Sequence, residues 1–141
     1  MLKKLVLSTD INPGRLHLSL LAYRVLISLS LFNTHGIKKA LNFEETLAHI
    51  PDPLGVGSAA SAYFALLANV ICPAFIALGL FTRAAIIPVL SITLMGFFVV
   101  HISDPWPVKD VPLMYSITFL LLLILGPGKY ALDHKLFNQQ K

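Results

Sequence analysis

The sequence predicts an all-α membrane protein: a four-transmembrane-helix bundle with a short interfacial helix between spans one and two. Three observations predict it. The chain of 141 residues is 56% hydrophobic and 13% charged, where a soluble domain carries about 25% charged residues. Its mean hydropathy is +0.75. Its apolar residues fall in four windows, at 16–37, 58–82, 84–103 and 111–128, each near the roughly 20 residues a helix needs to cross the hydrocarbon core. None shows the period-two alternation of a membrane barrel strand. Residues 1–141 thus read as one membrane domain.

Lys3 and Lys4 precede only Leu5, Val6 and Leu7 before Ser8-Thr9-Asp10, too short an apolar core for a secretory signal. The first window carries Arg24. An arginine near mid-membrane costs about 2.5–3.5 kcal/mol on insertion scales, so it is expected to face the bundle interior and to have partners. Arg24, Ser28 and His35 lie near one helical face, over about 16 Å of helix. One reading is a polar stripe in which Arg24 holds a quinone oxygen, a lipid headgroup or another anion. The other is that Arg24 bonds main-chain carbonyls and Asn69 and fixes helix packing. After this window Asn42-Phe43-Glu44-Glu45 has the form of a capping box, opening a short helix on the outer interface that stops at Pro51-Asp52-Pro53.

The second window is rich in Ala and Ser, which suits close helix contact. Pro73 cannot donate to the Asn69 carbonyl, so Asn69 offers two acceptors at the expected depth of Arg24. Cys72, the only cysteine, allows no disulfide and reads as inert packing. Gly79 makes a tight turn before Arg83. The third window ends near His101, and Asp104-Pro105-Trp106-Pro107 forms a rigid loop with an interfacial tryptophan. Asp110 is the expected N-cap of the fourth span. Tyr115 lies within that span and needs a hydroxyl partner. Gly126-Pro127-Gly128 ends it, and a short segment on the inner surface follows. An outer polar mouth is expected from His35, Lys38, His101 and Asp110. A haem or metal between the histidines has no further support, and no metal site is assigned.

The charges orient the chain. With the N-terminus cytoplasmic, Lys3, Lys4, Arg15, Arg83, Lys129, Lys135 and Lys141 lie inside, against Lys38, Lys39 and Lys109 outside. Both termini are then cytoplasmic. The net charge of +4 comes from residues scattered between spans, without a basic run interleaved with aromatics, so no nucleic-acid partner is expected.

Three segments resemble the DoxX family of small bacterial membrane proteins. They are His35-Gly36-Ile37-Lys38, Leu78-Gly79-Leu80-Phe81-Thr82-Arg83, and Leu125-Gly126-Pro127-Gly128-Lys129-Tyr130-Ala131-Leu132-Asp133. Their order and spacing fit over roughly 20–133. The resemblance implies a four-helix membrane bundle in a bacterial cytoplasmic (inner) membrane and a link to oxidoreduction. The family's namesake is a subunit of a thiosulfate:quinone oxidoreductase, and a relative associates with a superoxide dismutase and a sulfurtransferase. Many members carry a glutamate where this chain has Asn69, and their acidic position before span four matches Asp110. The resemblance thus implies an integral membrane subunit of a quinone-linked redox system, anchoring or serving a soluble redox or sulfur-metabolism protein. The alternative is a non-enzymatic membrane module that binds a lipid or scaffolds partner proteins. No intrinsic cofactor and no catalytic residue is assigned. The ligand candidates are Arg24, Ser28, His35, Asn69, His101, Asp110 and Tyr115.

Overall fold

The computed structural model describes residues 11–137. Lys3, Lys4 and Lys141, which entered the charge count, and the segment 1–10 read for a signal peptide lie outside the described residues. Among the described residues the chain is helical and without strands. Four helices are long and apolar enough to cross a membrane: α1 (Pro13–Leu41), α3 (Ser58–Leu78), α4 (Thr82–Val100) and α5 (Trp106–Leu125). Two short ones flank them, α2 (Phe43–His49) and α6 (Leu132–Phe137).

Local chemistry sets these limits. Asn12 caps α1 by accepting from the Gly14 N–H at 2.9 Å, and Pro13 opens it. Gly79 ends α3 in the left-handed region, where the Leu80 N–H reaches the Phe75 carbonyl at 2.9 Å. Gly126 ends α5 at φ 78°. Two expectations about caps fail. The Asn42 side chain makes no cap bond to α2. Asp110 is not the N-cap of the fourth span: α5 starts five residues earlier, after Pro105, because Pro107 fits a first helical turn without losing a bond.

Helices α1, α3 and α4 each contain one π-helical stretch, at Phe32–Gly36, Leu67–Ile71 and Gly96–Val100. The second has a visible cause. Pro73 lacks the N–H that the Asn69 carbonyl would accept from. The Cys72 N–H bonds the Leu67 carbonyl, one residue further back than in an α-helix. The Asn69 carbonyl instead faces Gly36 of α1, where any Cβ would overlap it. Glycine is what lets the two π stretches meet.

The spans pack in an up-and-down ring: α3 lies against α1 and α4, α5 against α4, and α5 also touches α1. A core of Leu31, Cys72, Ile76, Ala85, Ile86, Val89, Phe119 and Leu122 fills it. Outside, Leu26, Phe75, Ile87, Ile117 and Ile124 are exposed. Apolar side chains outward as well as inward suit a hydrocarbon solvent. The short α2 leans on α3 through Phe43 and Tyr63, whose ring centroids are 5.2 Å apart.

Candidate functional site

The ring has two unlike ends. At the closed end Arg24 is 1% exposed. Its Nε donates to the Ala77 carbonyl at 3.2 Å, Nη1 to Pro127 at 2.7 Å and Nη2 to Tyr130 at 2.7 Å. Arg24 therefore does not join Asn69, as the sequence reading expected. Ala77 lies eight residues beyond Asn69 on α3, about 12 Å along the helix. The Asn69 amide bonds its own helix instead, donating to the Ala65 carbonyl at 2.9 Å. The Asp133 carboxylate also acts on the guanidinium through space.

Asp133 joins two of the three segments singled out in the sequence. Its main-chain N–H donates to the Gly79 carbonyl at 2.8 Å. Its carboxylate accepts from the Phe81 N–H at 2.7 Å, the Thr82 N–H at 3.0 Å and the Thr82 hydroxyl at 3.2 Å. A carboxylate at the start of α4 satisfies donors the helix leaves open and meets its positive end. Phe81 takes φ 47° there, a strained choice for a non-glycine residue. Gly79 has no room for a side chain: a Cβ would come 2.7 Å from the Ala131 Cβ and 2.8 Å from Arg24 Nη1. The α3–α4 turn, the segment after α5 and Arg24 thus form one hydrogen-bonded knot.

The opposite end is open. A cavity of about 1030 Å³ lies among all four spans, roofed by the loop after α2. Ligand pockets usually enclose about 300–1,000 Å³ and are mostly apolar with a few placed polar groups. Here Leu31, Phe64, Ile92, Met95 and Val111 supply apolar wall. The polar groups are His35, Lys39, Ser61, Asn69, Ser91, Thr93, His101 and Tyr115. No Asp or Glu side chain lines it.

Four of the seven sequence candidates meet here: His35, Asn69, His101 and Tyr115. The Tyr115 hydroxyl is 2.8 Å from Ser30 Oγ, and its ring stands edge-on to His35 at 5.7 Å. The Asn69 Oδ1 accepts from no group among the described residues. His101 Nδ1 is 2.7 Å from Asp104 Oδ2. The other three lie elsewhere. Arg24 belongs to the closed end. Ser28 is buried, with an unpartnered Oγ, and does not line the cavity. Asp110 is exposed on α5 outside it. In the polar mouth Lys39 takes the place expected of Lys38. The i, i+4 spacing from His35 to Lys39 was the available signal. Both lysines looked like topology charges, and only the turn of α1 past its π stretch separates them. Among the described residues no group of three or more His, Cys, Asp or Glu is placed to hold a metal ion.

The family model described as DoxX matches residues 19–102. No curated protein and no solved structure matches the chain.

Proposed function

This chain belongs to the DoxX family, and from that premise we propose that it is the membrane subunit of a quinone-linked redox system, with the open-end cavity as the quinone site. It is a membrane protein with four candidate spans. The cavity carries the proposal. A quinone is a flat apolar ring with two carbonyl acceptors. The cavity is walled by apolar side chains and offers donors at several heights: the His35 imidazole, the Tyr115 hydroxyl and the second N–H of Asn69. Its volume exceeds that of a ring, which leaves space for part of a chain. In this reading electrons come from, or go to, a soluble oxidoreductase that the chain anchors or serves.

The test is extraction in mild detergent followed by mass spectrometry of co-purifying small molecules. A quinone should accompany the protein well above an equivalent membrane fraction lacking it. Ala60→Trp, which fills the cavity wall, should expel it. A chain that keeps phospholipid but no quinone would be a lipid-binding or scaffolding module instead.

A further inference from the structure

We infer that the cavity selects its ligand by head-group charge, and that Lys39 does the selecting. It receives the carboxylate or phosphate oxygens of a long-chain amphiphile and disfavours a cationic head. This goes beyond the quinone reading, because it rests on the cavity being a head-group site and not on the head being a quinone.

Three observations carry it. Lys39 is half-buried and lines the apolar cavity. Its Nζ donates to the His35 carbonyl at 3.0 Å, which uses one of three ammonium donors. No ion pair joins it to a carboxylate; the pair among the described residues is His101 with Asp104. A charge partly withdrawn from water without a countercharge carries a desolvation cost, and an anionic ligand would relieve it.

The charge of the surroundings points the same way. Apart from the Tyr115 phenol, every ionisable group lining the cavity is basic: His35, Lys39 and His101. The nearby acids are engaged or outside. Asp104 is held by His101. Asp52 accepts from Val56 N–H at 3.1 Å, Gly57 N–H at 2.8 Å and Ser61 Oγ at 2.9 Å. Glu45 shares with Lys39 only a shallow groove next to α2. An anion entering the mouth therefore meets an unneutralised ammonium, while a cation meets repulsion in a medium of lowered dielectric. A quinone carbonyl would accept from the same donor. The two readings share the cavity and differ in the charge of the head it takes.

The test is competition by native mass spectrometry on the full chain. It is presented with equal amounts of saturated chains of one length ending in carboxylate, phosphate, alcohol or amine, with a short-chain naphthoquinone in a parallel arm. The carboxylate and phosphate adducts should exceed the amine adduct by roughly tenfold or more. Their ratio to each other distinguishes a free fatty acid from a phospholipid as the source. Lys39→Gln should abolish the discrimination and Lys39→Arg should keep it. Lys38→Gln, at an exposed neighbour outside the cavity, should leave it intact. Equal amine and carboxylate adducts, no adduct at all, or discrimination that survives Lys39→Gln would overturn the inference. Failure of the naphthoquinone arm alone would count against the quinone reading and leave this one standing.

Discussion

A guanidinium has donors and no acceptors, so in a bilayer it is stable only where several oxygens converge. At Arg24 they converge from Ala77, Pro127 and Tyr130. The burial of this residue was legible from its place in an apolar window. Its partners were not, because two of the three are main-chain carbonyls more than 100 residues away, and any residue type can supply a carbonyl. Arg24→Leu leaves three part-buried carbonyls unpaired, each costing about 1–3 kcal/mol. The variant should lose about 3 kcal/mol or more, read as a large fall in thermal unfolding temperature in detergent. Whatever fraction folds should still bind cavity ligands. A variant that folds as stably as the parent but loses ligand would return Arg24 to the role of ligand contact.

Elements meet in this fold where glycine and proline permit it. Pro73 frees the Asn69 carbonyl and Gly36 approaches it. Sequence reading found the freed carbonyl but gave it the wrong neighbour, since it matched Arg24 and Asn69 by depth, and Arg24 meets α3 at Ala77, about 12 Å further along. The loop after α2 shows the same dependence on backbone. Gly55 and Gly57 take φ 65° and 99°, and Asp52 ties them down. The Gly57 N–H, aided by Ser61 and by the Val56 and Gly55 N–H groups, holds the Asp52 carboxyl below the usual carboxylate range. A carboxyl lowered by folding stabilises the loop above its unfolded pKa and stops doing so as pH falls through the lowered value. The loop should therefore be latched at neutral pH and loosen only below about pH 4. Hydrogen exchange at Val56 and Gly57 reports it. Asp52→Ala should speed exchange severalfold at pH 7, and acid should add little further. Unchanged exchange in that variant would mean that packing, and not Asp52, holds the roof of the cavity.

For the molecule as a whole, the ring places Arg15, Arg83, Lys129 and Lys135 at the closed end, and Lys38, Lys39 and Lys109 at the open end. By the positive-inside bias we propose that the closed end faces the cytoplasm and the cavity mouth the far side. Reporter fusions should show a cytoplasmic C-terminus and an extracytoplasmic loop after Asp52. The reverse pattern would turn the cavity toward the cytoplasm and change which soluble partners can reach it. Cys72 is buried in the core, the packing position expected of it.

The sequence alone determined the solvent of this protein, its four spans and its family. These follow from composition and window length, which act residue by residue, and from short segments that resemble the family's. Only the tertiary structure decided what the polar residues do. It separated Arg24 from Asn69, gave Arg24 to main-chain carbonyls and placed Lys39 at the mouth of the cavity in place of Lys38. Those choices depend on helix rotation past a π turn and on contacts between distant segments, and neither quantity is carried by any one stretch of chain.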